Sequence, residues 1–225
     1  MDQNKISSPA DSRVLSFCEI TGNEVLLVKD QKYKLGELLT GKNSENYSPE
    51  MLKNSLKNKD NKLYSAIFYL SPGDYHRYHS PADFKAKRRA HIAGYLWPVK
   101  ISYIEANKGV YEDNERISLF GTWKHGLMTQ VFVGATNVGS MTLKSEPELK
   151  TNAYYDEDVD TSIYNPEKKV NWRDFDEEIE IKKGEEVGMF KLGSTVVLVF
   201  EAPASLKWKI TEGQRIKYGD TFAEI

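Results

Sequence analysis

The apolar positions of this chain fall mostly in short runs that alternate with polar ones. Residues Arg13–Ile20 (RVLSFCEI) roughly alternate, and Glu24–Val28 (EVLLV) follows Thr21-Gly22-Asn23, a pattern that predicts a β-hairpin. Further strands are predicted at Ser65–Leu70, Ala90–Trp97, Ile117–Trp123 and Gly126–Ala135, punctuated by Gly109, Gly134 and Gly139. In the last of these, Met128 reads as core and Gln130 as surface. Between residues 35 and 63 the pattern loosens into a short helix over Leu35–Leu39, then a helix with an exposed loop ending in KNKDNK. Ser145–Asp176 is polar, acidic and aperiodic, which predicts a long surface loop. Apolar sequence resumes at Glu186–Phe200, and Gly213–Asp220 reads as a hairpin near the C-terminus. Many strands and few helices predict one mainly β (α+β) domain, an antiparallel or mixed barrel or sandwich.

Composition narrows the class. The 225 residues suffice for one core, and 40% hydrophobic with 12% aromatic residues excludes a wholly disordered chain. Lys plus Arg number 31 and Asp plus Glu 33, a net charge of −2. That balance excludes a binder of polyanions through bulk charge, so no nucleic acid is expected. The apolar run Val196–Phe200 falls far short of the ~18 residues that span a bilayer. The single cysteine, Cys18, excludes an intrachain disulfide or a cysteine zinc cluster. The start, MDQNKISSPAD, has no apolar signal core and an acid at Asp2, so either targeting is absent or the natural N-terminus lies upstream.

Charge is unevenly spread. Residues 50–108 hold eleven Lys/Arg against five Asp/Glu, and residues 145–187 hold six against fourteen. These are either two solvated faces, or Lys85, Lys87, Arg88 and Arg89 meet an anionic membrane surface at about 1 kcal/mol each.

Three short stretches carry chemistry. In Ser71-Pro72-Gly73-Asp74-Tyr75-His76-Arg77-Tyr78-His79-Ser80-Pro81, Ser71 and Asp74 form a capping box with Pro72 at the first helical position. A helical turn is predicted that stops before Pro81 and sets His76 and His79 on one face. Two adjacent imidazoles suit proton transfer; a metal would lack a third His or a Cys. Asp11, in Pro9-Ala10-Asp11-Ser12, reads by itself as a turn former. Gly193-Ser194, inside an apolar segment, reads either as a β-bulge or as a strained peptide whose hydroxyl can attack the preceding carbonyl.

Together these stretches resemble the phosphatidylserine decarboxylase family. PAD near the start, YHRYHSP, NERISLFGTWKHGLMTQVFVGATNVGS and FKLGST occur in the family's order and cover the chain from about Pro9 to its end. The TWKHG and GATNVGS wording resembles the mitochondrial type. The resemblance implies a chain that cuts itself between Gly193 and Ser194, leaving a larger chain 1–193 and a smaller chain 194–225. Ser194 would become a pyruvoyl group. Asp11 would hold the tautomer of His79, His79 would take the Ser194 proton, and His76 would return a proton to the substrate's α-carbon. The substrate, phosphatidylserine, supplies an amine, so the protein must supply a carbonyl as electron sink. The product would be phosphatidylethanolamine with carbon dioxide.

The resemblance also implies a peripheral membrane surface, the mitochondrial inner membrane in a eukaryote, with a membrane-associating segment before this point; a homodimer is compatible with it. The family's usual Gly after the motif Asp is Ser12 here. His91, on an alternating strand, is expected to be structural, and His125, in the Lys124-His125-Gly126 turn, exposed. Tyr69, Phe84, Tyr95 and Trp97 belong either to the core or to an acyl-chain groove. The competing readings are a non-cleaving Asp-His-Ser hydrolase, which would need a strand-to-helix elbow around the serine, an inactive β-rich relative, and a barrel-sandwich carrier module, which would need a Met-Lys dipeptide that the chain lacks.

Overall fold

The computed structural model describes residues 2–21, 24–28, 31–42, 47–136, 140–152, 170–191 and 193–225. Short strands dominate: β1 (Lys5–Ser7), β2 (Ser12–Glu19), β3 (Glu24–Val28), β4 (Gln31–Lys34), β5 (Asn61–Tyr69), β6 (Arg77–His79), β7 (Phe84–Ile92), β8 (Arg116–Trp123) and β9 (Gly126–Val133). There follow β10 (Met141–Leu143), β11 (Val170–Ile181), β12 (Glu186–Phe190), β13 (Thr195–Pro203), β14 (Lys207–Trp208), β15 (Arg215–Ile216) and β16 (Thr221–Glu224). The helices are α1 (Leu35–Thr40), α2 (Pro49–Asn54), α3 (Ile101–Ala106) and α4 (Val110–Asp113), none longer than two turns.

The mainly β expectation holds. The main sheet has eight antiparallel strands in the order β11-β7-β8-β9-β13-β5-β2-β15, beside the smaller sheets β1-β16-β14, β10-β12-β6 and β3-β4. The eight-stranded sheet is open, so among the described residues there is no closed barrel. β13 lies between β9 and β5, and Val196 through Phe200 are fully buried. Its unbroken apolar run reflects cover on both faces, which alternation alone does not reveal.

Register fixes where the candidate residues stand. Arg13 pairs with Tyr69, Tyr69 with Thr195 and Thr195 with Val133, one row across four strands. Ser194 precedes that row by one residue and Asp11 by two. β2 and β13 are separated by two strand spacings, roughly 10 Å, so both residues emerge at the same end of the sheet.

Several local expectations are corrected. β2 pairs with β5 and β15 rather than β3; the hairpin is β3–β4, and residues 22–23 of the expected turn lie outside the described residues. The arms of the C-terminal hairpin likewise choose other partners: β15 joins β2, and β16 joins β1 and β14. Left-handed Gly213 and Gly219 turn the chain there and donate to the carbonyls of Val14 and Ser8. The end of the expected acidic loop is a strand, β11, on the sheet edge against β7; residues 153–169 lie outside the described residues.

The basic cluster of β7 is consumed by this pairing. Lys85 meets Glu180 at 3.0 Å, Lys87 meets Glu178 at 3.0 Å, Arg88 meets Asp174 at 2.6 Å, and buried Arg89 meets Glu146 at 3.1 Å. The first three are cross-strand pairs between β7 and β11, and the fourth joins β7 to Glu146 just beyond β10. Gln130 is fully buried, against expectation, with neither amide atom paired. His125 is half-buried, its ring edge-on to Trp123 at 4.8 Å. His91 is structural as expected, buried with Nε2 2.8 Å from Glu115.

Candidate active site

The stretch from Ser71 to Pro81 folds as a turn leading into β6, not as a helix. The capping chemistry survives without the helix: the Asp74 carboxylate accepts the Ser71 N–H at 2.8 Å, and the Asp74 N–H donates to the Ser71 carbonyl at 2.9 Å. β12 captures the next residues, Glu186 opposite His79 and Met189 opposite Arg77, and this pairing overrides the local helical signal. His76 and His79 therefore stand three apart on extended chain and do not share a face.

His79 is 8% exposed. Its backbone N–H donates to the Pro9 carbonyl at 2.7 Å, which brings β6 beside the turn carrying Asp11. The ring's Nδ1 lies 2.9 Å from the Gly184 carbonyl, and Nε2 lies 3.3 Å from the Tyr75 hydroxyl. A carbonyl only accepts, so Nδ1 carries the proton and Nε2 keeps its lone pair. Burial pushes the Tyr75 phenol up, so at neutral pH it stays a donor. The tautomer needed in a general base is thus set by the Gly184 carbonyl, where the sequence reading gave that task to Asp11.

Asp11 is also 8% exposed, and its carboxylate turns to the C-terminal segment. Oδ2 accepts from Lys217 Nζ at 2.6 Å and Oδ1 from the Tyr218 N–H at 3.0 Å. The ion pair raises Lys217 above the usual lysine range. Two residues earlier in that segment, Arg215 reaches Asp74 at 3.0 Å. Residues 215–218 therefore clip both loops that hold the predicted residues. Ser12 fits in place of glycine: its hydroxyl donates to the Ala10 carbonyl at 3.2 Å, and its φ is not positive.

Ser194 is fully buried where chain enters β13. Its carbonyl accepts the Leu70 N–H at 2.7 Å, and its hydroxyl donates to the Val133 carbonyl, not to His79. A side chain at Gly193 would be crowded: a Cβ there would sit 3.0 Å from the Leu70 carbonyl and 3.2 Å from the Pro72 nitrogen. The Gly193–Ser194 peptide thus lies against the start of the loop that carries both histidines. His76 is half-buried with Nε2 enclosed and unpartnered. Burial lowers its pKa, opposed by the Asp74 charge, so a proton it takes up is readily handed on.

A cavity of about 290 Å³ opens beside Gly193, walled by Tyr69, Leu70, Pro72, Val99 and Ala135. A second, of about 380 Å³, shares Pro98 and Thr136 with it and is rimmed by Tyr95, Trp97 and Tyr103. Of the four aromatics, Phe84 is core, Tyr69 walls the first cavity, and Tyr95 and Trp97 are 52% and 44% exposed on the rim of the second. Gly184, Lys217, Tyr75 and Tyr218 were not singled out from sequence. Only Tyr75, four residues before His79, lay within reach of a local pattern.

Comparison with known proteins identifies the family. The family model for phosphatidylserine decarboxylase matches residues 1–224. The mitochondrial phosphatidylserine decarboxylase proenzyme of Cricetulus griseus is 35% identical over 230 residues, covering 99% of this chain and 55% of that protein. The mitochondrial proenzyme 1 of Arabidopsis thaliana is 34% identical, covering 94% and 55%, and the proenzyme of Plasmodium falciparum 32%, covering 100% and 58%. The chain spans about half the length of the curated relatives it matches. A family match over nearly every residue, with relatives about 35% identical along almost the whole of it, places this chain in the phosphatidylserine decarboxylase family.

Proposed function

We propose that the chain cuts itself between Gly193 and Ser194, converts Ser194 into a pyruvoyl group, and decarboxylates phosphatidylserine to phosphatidylethanolamine. The observation that carries this reading is the placement of a side-chain-free glycine and a buried serine against the histidine loop, at the mouth of an apolar cavity. In the first stage His79 Nε2 takes the Ser194 hydroxyl proton, once that hydroxyl turns from the Val133 carbonyl. The freed oxygen attacks the Gly193 carbonyl carbon, the Gly193–Ser194 C–N bond breaks, and an ester joins the two residues. Elimination of the ester and hydrolysis release ammonia and leave a ketone at residue 194. Asp11 holds the 215–218 segment in place beside His79 throughout.

The residues fit such a group. β13 is paired along both sides, so the new chain end stays in register at the cavity. When present, the pyruvoyl ketone supplies the electron sink for loss of carbon dioxide. Of the chain's own groups, His76 returns the proton to the α-carbon from its unpartnered Nε2. The aromatic rim at Tyr95 and Trp97 is where a lipid's acyl chains enter and where the protein lies on the membrane, since amphipathic rings favour the interface. No helix among the described residues is long and apolar enough to cross a membrane. Several relatives are called mitochondrial, and we assign this chain to the same membrane system. A non-cleaving serine hydrolase fits less well, because Ser194 is wholly enclosed before a central strand.

The test is release of carbon dioxide from phosphatidylserine vesicles by purified protein, before and after phenylhydrazine. Turnover abolished by the carbonyl reagent is expected. Turnover that survives it, or none by processed protein, overturns the proposal.

A further inference from the structure

Two tyrosine rings meet the His79 imidazole, and one comes from the far end of the chain. The Tyr218 ring stacks on the imidazole at 4.4 Å with 17° between planes, Tyr75 stacks at 5.8 Å, and the two tyrosines lie 5.5 Å apart. Gly184 and Tyr75 hold the two nitrogens, which fixes the ring's edge. Tyr218 covers a face, which fixes its tilt. Because the Tyr218 backbone N–H and Lys217 Nζ both bind Asp11, the stacked ring is anchored to the second predicted residue of the site.

We infer that Tyr218, carried by the smaller chain, is a positioning residue for His79 in self-cleavage. The inference rests on the self-cutting reading above. The stacked π face keeps Nε2 directed and favours the imidazolium that forms as His79 takes the serine proton. Tyr218 itself is 47% exposed, so its ring is not needed to fill the core. The Asp11 contacts of this segment use the backbone of Tyr218 and the side chain of Lys217, so replacing the tyrosine ring isolates the stacking.

Tyr218→Leu removes the ring, and Tyr218→Phe keeps it without the hydroxyl. Loss of full-length chain with time, followed on denaturing gels, should slow about two- to fivefold in the leucine variant, the range that cation–π contacts support. The phenylalanine variant should cut at the wild-type rate. In uncut Ser194→Ala protein, NMR signals of the His79 ring protons should move when Tyr218 is leucine and stay when it is phenylalanine. A leucine variant that cuts at the wild-type rate overturns the inference. So does a phenylalanine variant as slow as leucine, or a slow leucine variant whose His79 signals do not move. A wild-type chain that stays whole instead overturns the self-cutting reading, and this inference with it, before any Tyr218 variant is scored.

Discussion

At the residue scale, the two histidines are separated by their surroundings. His79 is buried and held on both nitrogens, and it is the group we propose as the base of self-cleavage. His76 keeps an enclosed Nε2 with no partner, and it is the group we propose for the proton transfer of turnover. His79→Ala should therefore slow self-cleavage by about 10²–10⁴-fold, the usual contribution of a general base. His76→Ala should cut near the wild-type rate and lose most decarboxylation. Gel time courses paired with carbon dioxide release separate the two; a His79→Ala chain that cuts normally removes His79 from the role of base. Asp11, His76, His79 and Ser194 could be proposed from the sequence because each stands in a short motif. The Gly184 carbonyl and the Tyr218 ring were not, since a backbone acceptor and a partner from a distant turn leave no mark on local sequence.

At the scale of elements, β13 decides what the proposed cut would do to the fold. It begins at the residue after Ser194 and is paired with β5 along Thr195–Pro203 and with β9 along Thr195–Phe200. β15 and β16, also beyond the cut, pair with β2 and β1. The smaller chain should thus remain bound after cleavage, co-eluting with the larger in native gel filtration and separating only in denaturant. Release of the 194–225 fragment under native conditions would show that these ladders do not hold it. The apolar strands of the sheet were legible from their runs. β11 was not, because an edge strand that pairs by charge shows no apolar alternation. The helix foreseen at Ser71 failed for a related reason: β12 offered β6 a ladder that the local capping signal could not reveal.

For the whole molecule, two regions of opposite charge fold onto each other. Three of the four pairs on β7 are exposed, and only Arg89–Glu146 is buried. Arg88→Met should change the unfolding free energy by less than about 1 kcal/mol, whereas Arg89→Met should cost about 3 kcal/mol by leaving buried Glu146 to the half-exposed Arg173, 2.9 Å away. Urea unfolding of the two variants checks this; equal losses would contradict the assigned difference in burial. Everything proposed for the molecule depends on the fate of one peptide bond, and intact-mass measurement of purified wild-type protein examines it directly. Two fragments ending at Gly193 and beginning at residue 194 are expected, the second without a free amino group and reactive toward phenylhydrazine. A single unreactive chain of 25.7 kDa would contradict the account.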